Sequence, residues 1–99
     1  MTEPAESLAP AAERSPAETV TAFLHALADG DAETVLGLIS DDLVYENVSL
    51  PTIRGRERFS KGLHDFNRRG VTFAVQIHRI AESGNTVMTE RTDGLGYRR

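Results

Sequence analysis

The last third of the chain alternates apolar and polar residues twice, on either side of a short turn sequence. In residues 71–82 (VTFAVQIHRIAE) the large apolar side chains fall at every second position from Val71 to Ile77, and residues 86–93 (TVMTERTD) are predicted as the second alternating run. Between them, Ser-Gly-Asn at 83–85 is typical of a tight turn. This pattern predicts an antiparallel hairpin with one buried face. Other elements of the chain must cover that face.

Three helices are predicted before the hairpin, from helical spacing and from end signals. Ser15 is an N-cap with Glu18 three residues later, which is a capping box, and apolar residues recur at helical spacing up to Gly30. Asp31 can cap a second, short helix. Residues 55–69 (GRERFSKGLHDFNRR) repeat their apolar side chains at helical spacing and are followed by glycine, which predicts a third helix.

A further strand is predicted between the second and third helices, over LVYENVSL at 43–50. Period two places Leu43, Tyr45 and Asn47 on one face of that strand. The order helix, helix, strand, helix, strand, strand indicates an α+β fold, with a curved antiparallel sheet packed on helices.

Length and composition allow one domain and exclude several kinds of partner. With 99 residues and 39% apolar content, the chain can build one core only if most of it participates. Residues 1–14 have almost nothing large to bury and are expected to be a disordered tail, which leaves 15–99 as the folded domain. The net charge is −4 and the eleven basic residues are scattered, so no nucleic acid partner is expected.

The sequence does not show the pattern of a metal site, of a membrane span or of a signal peptide. The chain has no cysteine, and His25, His64 and His78 lie on separate elements without ligand spacing, so no metal site is predicted. No apolar run approaches the roughly 18 residues that a membrane span requires. The N-terminal sequence does not read as a signal peptide, so a cytoplasmic location is expected.

Two polar pairs are the candidates for chemistry, Arg91 with Asp93 and Tyr45 with Asn47. Each pair is spaced i, i+2 on a predicted strand, so its two members share a face. If both pairs face the helices, they place a guanidinium, a carboxyl, a phenol and an amide in one pocket, where each unpaired polar group costs roughly 2–7 kcal/mol to bury. The alternative is a solvated surface pair worth under about 1 kcal/mol. Spacing alone leaves both interpretations open.

Longer stretches resemble a known family. The run DDLVYENVSLPTIRGRERF (41–59), followed by VQIHRIAESGNTVMTERTD (75–93), resembles the limonene-1,2-epoxide hydrolase family, a branch of the nuclear transport factor 2-like superfamily. The likeness extends from about Pro16 to Leu95. It implies a cone-shaped α+β fold in which a curved mixed β-sheet packs on three N-terminal helices.

The resemblance also implies an activity, the addition of water to an epoxide in one step to give a vicinal diol. Asp93 matches the acid that protonates the epoxide oxygen, and Arg91 matches the arginine that bridges two catalytic carboxylates. Tyr45 and Asn47 match the pair that helps hold the attacking water. The family needs no cofactor, and it implies a small apolar epoxide as substrate and a homodimer as the assembly.

One part of the family pattern is not found. A second aspartate, which takes the proton of the water, lies in the family in a later segment resembling WRDYFD, and this chain has no such segment. An incomplete domain, C-terminally truncated and without its last strands, is therefore expected, with impaired activity. Glu46 and Glu90 are adjacent to site residues but have the opposite parity, so neither is expected to replace the missing base.

Two other functions stay open beside the hydrolase. The same fold also serves non-catalytic small-molecule-binding and dimerisation modules, because fold alone does not fix function. A related isomerase or cyclase would use Asp93 as its base and Tyr45 as a hydrogen-bond donor. Arg91 argues against this last option, because a guanidinium at that position fits a site with two carboxylates better.

Overall fold

The computed structural model describes residues 14–48 and 50–98, in which two helices, two strands, a third helix and two further strands follow one another. The elements are α1 (Pro16–Asp29), α2 (Ala32–Gly37), β1 (Val44–Tyr45), β2 (Ile53–Arg54), α3 (Arg56–Arg68), β3 (Val71–Ser83) and β4 (Thr86–Tyr97). Of the tail predicted over 1–14, only Arg14 is described, and the rest of that prediction lies outside the described residues. No helix in the described part is long and apolar enough to cross a membrane.

Helix α1 begins and ends at the predicted signals. The Glu18 N–H donates to Oγ of Ser15 at 3.1 Å, and the Ser15 N–H donates to Oε1 of Glu18 at 2.9 Å, which completes the capping box. At the other end Gly30 adopts φ +72°, a left-handed conformation that glycine adopts without a steric penalty. Its N–H returns to the carbonyls of the last turn.

Helix α2 is held at its start by Asp31. Oδ1 of Asp31 accepts from the Thr34 N–H at 3.2 Å, and Oδ2 accepts from the Thr34 hydroxyl at 2.6 Å. The hydroxyl hydrogen bond, followed by the one from the backbone, lowers the pKa of Asp31 below its ordinary value. The cap is therefore strongest when Asp31 is ionised.

This cap predicts a pH dependence of stability. Because the pKa of Asp31 is lower in the folded chain, its stabilisation is complete above the unfolded pKa of about 3.9 and is lost as the pH falls through the folded value. Asp31→Asn keeps a capping oxygen that does not titrate. Urea unfolding between about pH 6 and pH 3 should therefore show a smaller fall in the free energy of unfolding for Asp31→Asn than for the parent. The control Asp42→Asn, at an exposed loop carboxylate, should follow the parent.

The hairpin of β3 and β4 is antiparallel and is closed by a two-residue turn. Ser83 pairs with Thr86, and Gly84 in the turn has φ +57°. The register is regular from Val71–Tyr97 to Ile77–Arg91, and it is interrupted once by a β-bulge at His78.

One face of this hairpin lies against the helices. Phe73 of β3 packs on Phe66 of α3, with ring centroids 5.8 Å apart. At the other end of the strand, the Ala17 N–H at the start of α1 donates to Oε1 of Glu82 at 2.8 Å. Directly paired residues in a sheet share a face. The helix-facing side therefore also carries the partners of Val71, Phe73, Val75 and Ile77, which are Tyr97, Leu95, Asp93 and Arg91.

The buried core lies among the helices rather than on the hairpin. Its buried residues are Ala26, Val35, Phe59 and Leu63, one or two from each helix. The Phe59 ring is 6.2 Å from that of Phe23 and 5.1 Å from that of Tyr45. These contacts join α1, α3 and β1 around one aromatic side chain.

Two features of the sheet differ from the expectation. The strand predicted over 43–50 is only two residues long, because the Leu50 N–H donates to the Asn47 carbonyl at 3.1 Å and turns the chain back. The returning strand, β2, was not predicted, and it pairs antiparallel with β1 through Tyr45–Ile53. The described strands form two separate antiparallel pairs, where the resemblance implied a mixed sheet. The α+β fold with three N-terminal helices is confirmed.

Candidate functional site

Arg91 and Asp93 form the centre of the candidate site. Nε of Arg91 donates to both carboxylate oxygens of Asp93, at 3.0 Å and 3.1 Å. Their register partners on β3 are Ile77 and Val75, both half-buried, so the ion pair lies on the helix-facing side of the hairpin. The i, i+2 spacing predicted this shared face.

Thr89 completes a row of three polar side chains along β4. Nη1 of Arg91 donates to Oγ1 of Thr89 at 2.7 Å, so the guanidinium is held from both sides along the strand. Thr89 was not among the residues predicted from the sequence. Its position two residues before Arg91 was the signal that could have identified it, since every second residue of a strand shares a face.

The Arg91–Asp93 ion pair contributes little to the stability of the fold. The Arg91 side chain is 35% exposed and the Asp93 side chain 53% exposed, and pairs of this kind contribute at most about 1 kcal/mol to stability. An apolar pair at the same two positions would extend the contacts of Val75 and Ile77. Stability alone therefore gives little reason for a guanidinium and a carboxylate at these two positions.

Tyr45 and Asn47 occupy different environments from one another. The Tyr45 ring is half-buried and packs on Phe59, within the helical core. Asn47 is exposed and follows β1 in the turn to Leu50, so the alternation of a strand does not set its direction. The structure therefore brings Arg91 and Asp93 together on one sheet, while Tyr45 and Asn47 lie on and beside the other sheet.

Of the two glutamates adjacent to site residues in the sequence, Glu90 lies away from this pair. Glu90 is on the opposite face of β4, where its Oε1 accepts from Nη1 of Arg79 at 2.6 Å. Glu46 is exposed beyond the end of β1. Parity predicted this face for Glu90.

The histidines are dispersed over the described chain. His64 lies 3.5 Å from the Ser60 hydroxyl on α3, and Nε2 of His78 lies 2.7 Å from Oγ1 of Thr92 on the outer face of the hairpin. His25 is exposed on α1. Within 14–48 and 50–98, no group of three or more His, Asp or Glu side chains is arranged to hold a metal ion.

Comparison with known proteins identifies the family to which the chain belongs. The model of the limonene-1,2-epoxide hydrolase catalytic domain matches residues 14–97. Epoxide hydrolase EphG of Mycobacterium tuberculosis (strain ATCC 25618 / H37Rv) is 50% identical over 76 residues, which are 77% of this chain and 50% of that protein. This chain therefore spans about half the length of that curated relative.

Solved structures agree with the family and with the fold. The structure of an LEH-like epoxide hydrolase of M. tuberculosis superposes with a TM-score of 0.77 and 46% identity, over 83% of this chain and 61% of that one. An NTF2-like protein of Cytophaga hutchinsonii, 18% identical, superposes with a TM-score of 0.64 over 88% of this chain and 81% of its own length. The latter likeness concerns the nuclear transport factor 2-like fold alone. The chain, with its Arg-x-Asp pair on the helix-facing side of β4, belongs to the limonene-1,2-epoxide hydrolase family.

Proposed function

We propose that this chain carries one part of an epoxide hydrolase site, which binds a small apolar epoxide and directs the addition of water to it in one step. The observation that carries the proposal is the Arg91–Asp93 pair on the helix-facing side of β4, in a chain of this family. Half-buried Val75 and Ile77 beside the pair supply apolar surface for the hydrocarbon part of an epoxide.

Each residue has a distinct task in this proposal. Protonated Asp93 donates to the epoxide oxygen as the ring opens, so that a neutral alcohol and not an alkoxide leaves the carbon. Arg91 positions Asp93 and bridges it to a second carboxylate, while Tyr45 and Asn47 hold the attacking water. No covalent enzyme intermediate and no cofactor take part. A homodimer and a cytoplasmic location belong to the same proposal.

The proposal includes a low rate of hydrolysis for this chain by itself. In the described residues, Asp93 is the only carboxylate that Arg91 contacts. Addition of water also requires a group that takes the water's proton, and one such group contributes about 10²–10⁴-fold. Binding of an epoxide without appreciable turnover is the second candidate function, and the single carboxylate at Arg91 favours it.

Binding at the proposed site can be tested without turnover. Titration with limonene-1,2-epoxide, followed by ¹H–¹⁵N NMR, should shift the Nε–H signal of Arg91 and the backbone signals of Ile77 and Asp93. The outer face provides the internal control, because Arg79 and Glu90 lie on the other side of the same hairpin. Their signals should move little.

A matched variant separates apolar binding from nonspecific contact. Val75→Asp places a charge on the helix-facing side and should weaken binding by at least about tenfold, since burying an unpaired charge is costly. Gln76→Asp, at the neighbouring exposed position of β3, should bind as the parent does. Shifts confined to the outer face, or equal binding by both variants, would contradict the proposed site.

A further inference from the structure

The guanidinium of Arg91 has two hydrogen-bond partners on its own strand, one on either side along the chain. Nε donates to Asp93, and Nη1 donates to Oγ1 of Thr89 at 2.7 Å. Pairs of arginine with a carboxylate are frequently forks, in which two nitrogens each face one oxygen. Here Nε is shared between both oxygens of Asp93, at 3.0 Å and 3.1 Å, while Nη1 is engaged by Thr89. The ion pair alone therefore does not set the orientation of the guanidinium.

An ion pair of this kind is too weak to hold a long side chain by itself. Arginine is among the side chains that lose the most rotamer freedom when they are fixed. Both members of the Arg91–Asp93 pair are partly exposed, and exposed ion pairs gain little because water screens them. A second contact is therefore needed to keep the guanidinium of Arg91 in one orientation, and the Thr89 hydroxyl provides it.

Thr89 is well suited to hold a nitrogen in a fixed direction. It is half-buried on the helix-facing side of β4. Threonine is branched at Cβ, so its χ1 angle is restricted and its hydroxyl points in a defined direction. The residues of β3 that pair with Thr89 and Arg91 are both isoleucines, whose side chains have no hydrogen-bond acceptor: Ile80 and Ile77. On this face of the described hairpin, the side-chain acceptors next to Arg91 are therefore those of Thr89 and Asp93.

We propose that Thr89 is a positioning residue of the epoxide hydrolase site and acts through Arg91. Its hydroxyl holds Nη1, so that Nε faces Asp93. Because the guanidinium is planar and rigid, fixing Nε and Nη1 also fixes Nη2. A fork to Asp93 would occupy a second nitrogen, whereas this orientation keeps Nη2 for the second carboxylate that the proposed function requires.

Rotation of the Arg91 guanidinium about its Nε–Cζ bond reports the hold of Thr89 directly. The rotation exchanges Nη1 with Nη2, and ¹⁵N NMR measures its rate. Thr89→Val keeps the branched shape and removes the hydroxyl, so the rotation should become at least about tenfold faster, because a hydrogen bond to a charged group is lost. Thr89→Ser keeps the hydroxyl, so its rate should lie within about twofold of the parent rate.

Thr92→Val is the matched control on the same strand. Oγ1 of Thr92 lies 2.7 Å from Nε2 of His78 on the outer face, so loss of this hydroxyl should leave the rotation of Arg91 unchanged. Urea unfolding followed by circular dichroism checks that each variant is folded. If Thr89 had only a structural role, Thr89→Val would lower the free energy of unfolding and leave the rotation rate as it is in the parent.

The parent chain provides a second measurement, which decides the proposal where a variant does not fold. Arg79 on the outer face contacts Glu90 through Nη1, and its side chain is 80% exposed. Arg91 is held at two nitrogens, so its guanidinium should rotate more slowly than that of Arg79. Equal rates for the two arginines, an unchanged rate in Thr89→Val, or a rate in Thr89→Ser as fast as in Thr89→Val would overturn the proposal.

This inference rests on the proposed function, but its test can fail separately. The rotation of Arg91 is measured without an epoxide. A chain that holds Arg91 through Thr89 and binds no epoxide would contradict the proposed function alone. A chain that binds the epoxide while Arg91 rotates freely would contradict the role of Thr89 alone.

Discussion

Diol formation from limonene-1,2-epoxide and from styrene oxide should proceed at the buffer rate in the presence of this chain. In the proposed site Arg91 contacts a single carboxylate among the described residues, so no second carboxylate there would take the proton of the attacking water. The loss of one such group costs about 10²–10⁴-fold. Gas chromatography on a chiral column measures the diols, with buffer and heat-treated protein as references.

The control for this experiment is Asp93→Asn. If the expectation is correct, the variant and the parent give the same rate, because the acid alone does not open the ring efficiently. Turnover well above buffer that disappears in Asp93→Asn would contradict the expectation. It would mean that another residue, for example Glu46 or Glu90, serves as the base.

Phe59→Ala should remove cooperative folding of the chain. Phe59 is 6% exposed and contacts Phe23 and Tyr45, so its removal opens a cavity where α1, α3 and β1 meet. Such truncations cost about 3–5 kcal/mol, and small domains have only about 5 kcal/mol or somewhat more in total. Urea unfolding followed by circular dichroism should show a transition shifted close to zero denaturant.

Phe66→Ala is the matched control for this prediction. Phe66 is also on α3 and also contacts a ring, that of Phe73, but it is 40% exposed. Less buried apolar area is lost on truncation, so the free energy of unfolding should fall by less than it does in Phe59→Ala. Equal losses in the two variants would show that the core does not centre on Phe59.

The elements with complete local signals could be predicted from sequence. Helix α1 has its cap at Ser15, proline at the first helical position and glycine at the end, and each of these acts within one turn. The hairpin was recognisable from two alternating runs around Gly84. Its second strand was predicted to end at Asp93 but continues to Tyr97. Residues 94–97 continue the strand because they pair with residues 71–74 of β3. Gly94 and Gly96 carry no side chains that would indicate a strand in the sequence.

The strand predicted over residues 43–50 is mostly absent from the structure, and the reason is the path of the backbone. Residues 43–50 alternate well, but the Asn47–Leu50 hydrogen bond forms a turn and β2 pairs with what remains. Alternation describes side chains and does not report whether the backbone stays extended. The same limit applies to the site. The prediction that Arg91 and Asp93 share a face is correct because both lie on an extended strand. The corresponding prediction for Asn47 does not apply, because Asn47 lies in a turn.

The bulge at His78 has a consequence for how related sequences should be aligned. After Ile77, the next residue on the helix-facing side is Ile80 and then Glu82, so the inward spacing changes once from two to three. Strand β3 thus holds one residue more than its pairing requires. Removing that residue would restore the period of two and leave every inward position as it is, including Glu82, which accepts a hydrogen bond from the Ala17 N–H. A related sequence that lacks a residue opposite His78 can therefore keep the same inward side chains. A related sequence that lacks one residue between Val71 and Ile77 cannot, because the side chains on one side of the gap would change faces.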